Sequence, residues 1–111
     1  MILYFTKEVM SFLEHINDIL LAIKKASSII LIPTEKNRNT KYRLGLVNKD
    51  LVQLVKDLKA IDYVSGPEDD YNGTEGSIWI FKKFAYGVFF YIKIKNVKPL
   101  KIISCHIDNI N

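Results

Sequence analysis

Residues 88–95 read VFFYIKIK, and this alternating run decides the fold. Successive side chains of a β-strand point to opposite faces of the sheet. The even-numbered positions are all apolar and predict a core face: Val88, Phe90, Ile92 and Ile94. The odd-numbered positions form the opposite face: Phe89, Tyr91, Lys93 and Lys95. The stretch therefore predicts a strand with one buried and one open face.

Two further strand-like runs flank it, residues 77–84 before a turn at Gly87 and residues 100–107 after the turn 96–99. Together they predict an antiparallel meander. In the last run, alternation assigns Ile103, Cys105 and Ile107 to the apolar face, and Ser104, His106 and Asp108 to the polar face. If the apolar faces share one core, four side chains meet on the open face, with Tyr91 opposite Ser104: Tyr91, Lys93, Ser104 and His106.

The preceding residues predict helices and one short strand. Apolar residues recur at helical spacing from Val9 to Ala26, and Thr6 can cap that helix. A brief strand at 28–32 ends at Pro33, a short helix ends at Gly45, and a further helix opens at Asn48. Residues 66–76 read as a loop. We expect one shared core containing Val9, Leu13, Ile16, Leu20, Phe90, Ile92, Ile103 and Cys105.

This order predicts an α+β fold of one domain, residues 1–111. Its antiparallel sheet would comprise the meander and the short earlier strand, packed against two to three helices. The chain is 49% hydrophobic, which suffices for a core. A single cysteine, no signal-peptide pattern and no run long enough to span a bilayer predict a soluble cytoplasmic domain without a membrane partner.

Positive charge is concentrated in the C-terminal third. Residues 76–111 contain six lysines and one acid, whereas residues 1–75 contain ten basic and eleven acidic side chains. The lysines either form the footprint of an acidic partner such as RNA or simply solvate the faces of the strands. Charge alone leaves both interpretations open.

The open face has the side chains that RNA cleavage requires. The 2′-hydroxyl must lose a proton, the leaving 5′-oxygen must gain one, and the charge on the phosphate must be stabilised. His106 can transfer protons near neutral pH, while Tyr91 and Lys93 can hold the phosphate. Further candidates for phosphate binding are Lys82, Lys83, Lys95 and Ser104. A similar group of side chains also arises by chance on solvated sheets.

No motif predicts a metal or a cofactor. The chain has no His-Glu-x-x-His, no Cys-x-x-Cys and no phosphate-binding glycine loop. The acidic stretch 68–73 lacks the alternate spacing of a calcium loop and is interpreted as a solvated loop.

Six segments, taken in order, resemble the MqsR family of toxins from toxin–antitoxin pairs. They are residues 32–37, 44–46, 62–68, 79–81, 87–94 and 104–106. The resemblance covers most of the chain, from about Ile30 to Asp108. It implies a RelE-like fold and a ribonuclease that cleaves messenger RNA without a metal. It also implies a cognate antitoxin, often a helix-turn-helix protein, and leaves open whether the ribosome takes part.

The resemblance assigns active-site roles by position. Tyr91 matches the active-site tyrosine of the family, Lys93 belongs to the same motif, and His106 takes a position used for a catalytic side chain. Four positions depart from the pattern: Ser65 stands near an expected lysine, Ile80 at an expected glutamine, Cys105 at an expected aromatic, and Lys82 where relatives often have glycine. Lys82 and Lys83 are the candidates to supply the missing charge, and the turn at 85–87 decides which of them faces the site. That turn also decides whether Trp79 packs in the core or stacks on a base.

The main alternative function is a binding module without catalysis, either a degenerate toxin or a phage-encoded regulator that grips RNA or protein through the same sheet. The departures at Ser65 and Ile80 favour it, and the retained Tyr91 and His106 favour catalysis. A third possibility is a protein inhibitor that works through the acidic loop.

Overall fold

A computed structural model describes residues 6–108. The helices are α1 (Lys7–Lys25), α2 (Glu35–Leu44) and α3 (Asn48–Lys56), with a 3-10 turn at Ala60–Asp62. The strands are β1 (Ile29–Leu31), β2 (Tyr63–Asp69), β3 (Ser77–Ala85), β4 (Val88–Asn96) and β5 (Leu100–Ile107). The α+β class and the C-terminal meander are confirmed. Among these helices, none has the length and apolar character needed to cross a membrane.

The five strands form one mixed sheet in the order β1-β5-β4-β3-β2. Neighbouring strands are antiparallel except for β1, which pairs parallel to β5. The sequence predicted an antiparallel sheet, and the direction of β1 corrects that. β1 and β5 are far apart in the sequence, so no turn signal between them could indicate their relative direction.

The strand β2 is a second correction, because part of it was predicted as loop. Its pairing with β3 shifts register between Tyr63 and Ser65 and again between Ser65 and Glu68. Gly66 and Pro67, both poor strand formers, lie in this irregular part. These interruptions remove the period-two pattern by which an edge strand is recognised in sequence. The loop is confined to the residues between Asp69 and Ser77.

The core lies between one face of the sheet and helices α1 and α3. Phe90 and Ile92 are fully buried there, as predicted, with Ile16, Cys105 and Trp79. The predicted burial of Val9 and Leu13 is wrong: they are 39% and 36% exposed. The buried residues of α1 are Ile16, Ile19 and Ile23, so its first turns lie beyond the core. Helical periodicity defines a stripe but not how far the partner surface extends along it.

The predicted core position of Ile103 is also wrong, because β5 contains a bulge. Lys93 pairs with Ser104 whereas Ile94 pairs with Ile102, which leaves Ile103 as the extra residue. Ile102 is fully buried and Ile103 is partly exposed. Simple alternation fails at this point and resumes beyond it, so Cys105 still packs in the core.

Helix α2 completes the edge of β5 where β1 ends. The Asn37 side-chain amide accepts a hydrogen bond from the Cys105 N–H (2.9 Å) and donates to the carbonyls of Ile103 (3.1 Å) and Ile32 (2.8 Å). The Thr40 hydroxyl accepts from the Ile107 N–H at 2.9 Å. These two buried polar side chains replace a neighbouring strand, and they hold α2 beside the end of β5.

We predict that Asn37→Ala lowers the free energy of unfolding by about 3 kcal/mol, because it leaves buried backbone groups of Ile103 and Cys105 without partners. Urea denaturation measures the change. Asn39→Ala, at an exposed position of the same helix, is the control and should change stability by no more than about 0.5 kcal/mol. Equal effects of the two substitutions would contradict this account of α2.

Candidate active site

Three predicted site residues stand in one row across the sheet. Lys82 of β3 lies opposite Tyr91 of β4, and Tyr91 lies opposite His106 of β5. The Tyr91 and His106 rings stack, with centroids 5.5 Å apart and planes 28° from parallel. The sequence predicted Ser104 opposite Tyr91. The observed register differs by two residues, so the same side chains face the open side, and His106 lies directly opposite Tyr91.

A second row lies two residues further along the same face. Lys93 lies opposite Ser104 on one side and Ile80 on the other, and Ile80 lies opposite Ser65. The open face therefore brings together Tyr91, Lys93, Ser104 and His106. In the Ser65–Ile80 half of the row, only the Ser65 hydroxyl is polar.

The hairpin between β3 and β4 decides between Lys82 and Lys83. Tyr86 and Gly87 both have positive φ angles, 52° and 77°, and Ala85 pairs with Val88 around them. This two-residue turn places Lys82 on the Tyr91 face, where its Nζ lies 3.0 Å from Asp108 Oδ2. Lys83 lies opposite Phe90 and pairs with Asp62 at 3.5 Å, so the structure does not bring it to the site. The same parity buries Trp79 in the core.

Lys95 follows Tyr91 and Lys93 on β4, but its ammonium is already bound within the protein. Its Nζ lies 2.7 Å from Asp70 Oδ2 and 2.5 Å from the Thr74 hydroxyl. The hydrogen bond from Lys95 is the main reason that the pKa of Asp70 falls to about 2, with further help from the Asn72 N–H and Thr74. Lys95 thus tethers the acidic loop, and its ammonium is occupied by Asp70 and Thr74.

The open face is bounded by two clefts that share Tyr91 and Lys93. One, of about 630 Å³, lies between the sheet and the first turn of α2 and is also lined by Thr34, Glu35, Lys36, Ser104, His106 and Asp108. The other, of about 470 Å³, lies between the sheet and the acidic loop, with Ile80 and Ile103 in its wall. The sequence missed the contribution of α2 because the side chains that bring it here, Asn37 and Thr40, are polar.

His106 has a defined orientation. Its Nδ1 lies 3.0 Å from the Ile107 carbonyl oxygen. Because a carbonyl can only accept, this contact requires the proton on Nδ1, which leaves Nε2 as the acceptor of a neutral ring. Nε2 is then the nitrogen able to take a proton from a substrate.

Burial raises the pKa of the neighbouring Cys105 thiol to about 12, so that thiol stays protonated at neutral pH.

Two exposed phenylalanines continue the open face toward the hairpin. Phe84 lies opposite Phe89, and their rings meet edge to face with centroids 5.1 Å apart.

No group of three His, Cys, Asp or Glu side chains within residues 6–108 is arranged to hold a metal ion.

Comparisons of the chain with protein-family models, with curated proteins and with solved structures give no significant match.

We predict that Lys95→Met raises the pKa of Asp70 from about 2 toward its ordinary 3.8, because the substitution removes the hydrogen-bonding ammonium. Since folding depresses this pKa, the interaction stabilises the protein above about pH 3.8, and that stabilisation is lost as the pH falls toward 2. Carboxyl resonances followed by NMR titration measure the shift. Lys98→Met removes an exposed ammonium and is the control. An unchanged Asp70 titration in Lys95→Met would contradict the assignment.

Proposed function

We propose that this protein is an endoribonuclease toxin that cleaves messenger RNA in the cytoplasm without a metal and is neutralised by a cognate antitoxin. The observation that carries the proposal is the row formed by Lys82, Tyr91 and His106. It combines a proton-transfer group, a hydroxyl donor and a cation on one open face. Lys93 adds a second cation from the next row.

The reaction forms a bond between the ribose 2′-oxygen and phosphorus and breaks the bond from phosphorus to the 5′-oxygen. The 2′-hydroxyl loses a proton and the 5′-oxygen gains one, which gives a 2′,3′-cyclic phosphate and a free 5′-hydroxyl. His106 Nε2 is oriented to transfer a proton in this exchange. Stacking on Tyr91 limits the rotation of the imidazole and brings the two groups to one phosphate.

Tyr91 and Lys93 hold the scissile phosphate, and the lysine charge offsets the charge that develops on its oxygens. Within residues 6–108 no carboxylate forms an ion pair with Lys93, so its ammonium can bind the substrate. Lys82 contributes once a phosphate displaces Asp108 from it. Lys36, in the wall of the larger cleft, adds a cation that the sequence had not assigned to the site.

The RelE-like fold, the antitoxin and its helix-turn-helix type belong to the same proposal and are supported by the ordered MqsR-like motifs. A role for the ribosome is compatible with the open, shallow face, on which a folded partner can present the RNA.

A binding module without catalysis is the second candidate, and one observation favours it. Ile80 lies beside Lys93 and Ser65 lies beyond Ile80, and the resemblance implies a glutamine at Ile80 and a lysine near Ser65. A site without those groups has fewer hydrogen-bond donors for the transition state. The same face would then bind RNA, or a protein, through Lys82 and Lys93 and leave the phosphodiester intact.

We predict that His106→Ala slows the cleavage of a defined RNA by about 10²- to 10⁴-fold, the contribution of one positioned acid or base. Expression of the wild-type chain should arrest growth, and expression of this variant should not. Products of the wild-type reaction should carry the cyclic phosphate, and a chelator should leave the rate unchanged.

His15→Ala is the matched control, because His15 is the other histidine and is exposed on α1. It should cleave at the wild-type rate. If folded His106→Ala cleaves as fast as His15→Ala, His106 is not the proton-transfer group. If the wild type binds RNA but does not cleave it, the binding module is the correct function.

We also predict a steep salt dependence of RNA binding, with a slope of roughly −0.7 in the double-logarithmic plot for each phosphate contact. Lys93→Ala should flatten the slope by about one contact. Lys49→Ala removes the same charge from an exposed position of α3 and should leave the slope unchanged. Fluorescence anisotropy at several salt concentrations measures both slopes, and salt-independent binding would contradict RNA as the ligand.

A further inference from the structure

Phe84 and Phe89 are exposed although nothing in the described fold requires an aromatic ring there. They are 61% and 49% exposed and contact each other edge to face. Large apolar side chains that are exposed as a group on a charged face are informative, because most such residues are buried. The core does not use these rings, since they project from the face opposite Phe90 and Ile92.

Their position relates them to the candidate active site. Phe84 and Lys82 are two residues apart on β3, and Phe89 and Tyr91 are two residues apart on β4. The phenylalanine pair therefore forms the next row on the same face, about 7 Å from the row that holds Lys82, Tyr91 and His106. An apolar flat group thus stands beside a cation, a hydroxyl and an imidazole.

A nucleotide in single-stranded RNA presents the complementary groups, a flat base and an adjacent phosphate. Proteins that bind unpaired RNA commonly stack bases on aromatic side chains exposed on a sheet. An apolar protein surface would match the rings but not the neighbouring lysine and histidine. Trp79, the other aromatic side chain considered for stacking, is buried and cannot serve.

We propose that Phe84 and Phe89 form a stacking platform for the base of a nucleotide next to the scissile phosphate. The platform selects unpaired RNA and influences which bond is cleaved. This inference rests on the proposed function, because the position of the scissile phosphate is that of the Lys82, Tyr91 and His106 row.

The test uses a single-stranded RNA of fixed mixed sequence in 2′-O-methyl form, which cannot be cleaved, with one base removed at a time. Wild-type binding should weaken by about 5- to 150-fold when the stacked base is removed, the range known for base–aromatic stacking. Phe89→Leu and Phe84→Leu retain apolar area without a ring. They should weaken binding of the intact RNA and lose the response to that one removed base, whereas Phe89→Trp should retain it.

Phe12→Leu is the matched control, because Phe12 is 46% exposed but lies on α1, on the opposite side of the sheet. It should behave as wild type throughout. Cleavage of the unmethylated RNA locates the scissile bond relative to the stacked base.

The outcomes separate the platform from the proposed function. If the wild type cleaves RNA but the leucine variants respond to base removal as it does, the platform is wrong and the ribonuclease stands. If Phe84→Leu and Phe89→Leu preserve RNA binding whereas Phe84→Ala and Phe89→Ala weaken it, the patch is an apolar protein-docking surface and the platform is again wrong. If the wild type binds RNA without cleaving it, the ribonuclease proposal is wrong. The comparison of wild type and leucine variants on the RNA with one base removed then still decides whether the platform exists. A wild type that does not bind this RNA overturns both.

Discussion

The arrangement of the open face depends on one requirement, that the backbone groups of β5 find partners after β1 ends. Asn37 meets it by accepting from Cys105 and donating to Ile103, and Thr40 accepts from Ile107. A strand in this place would only have extended the sheet. A helix attached through two polar side chains instead brings its first turn, with Lys36, alongside His106 and forms one wall of the larger cleft. The pairing of the sheet edge and the shape of the candidate site thus have the same cause.

The bulge at Ile103 lies at that same edge. Its carbonyl is among the groups bonded by Asn37, and its side chain joins Ser104 on the open face. Without the extra residue, alternation would give opposite orientations to Ile102 and Cys105, which are both fully buried. The bulge lets both pack in the core and keeps His106 on the face of Tyr91. Core packing and the placement of the candidate proton-transfer group are compatible because β5 has one extra, unpaired residue at the bulge.

Local patterns sufficed to predict much of this molecule. The alternation around Tyr91 correctly separated core from open face, and Gly45 was correctly predicted to end α2, which it caps in a left-handed conformation. The features that sequence could not give are non-local or irregular: the parallel direction of β1, the interrupted strand β2 and the bulge. The choice between Lys82 and Lys83 depended on a turn whose two positive φ angles include a tyrosine, Tyr86, for which no propensity rule would predict that conformation.

The balance between catalysis and simple binding depends on how the two rows differ. The row with Tyr91 and His106 has the groups for proton transfer, and their stacking fixes one relative to the other. The row with Lys93 ends at Ile80, which offers no hydrogen bond. Electrostatic stabilisation in such a site would come from lysines, whose charge acts without the directional geometry that an amide donor needs. In the proposed reaction, the lack of a hydrogen-bond donor at Ile80 would therefore reduce the rate more than it reduces RNA affinity, since lysine charge serves the bound substrate and the transition state alike. If the proposed function is correct, the ribonuclease would be slow relative to the firmness of its RNA binding.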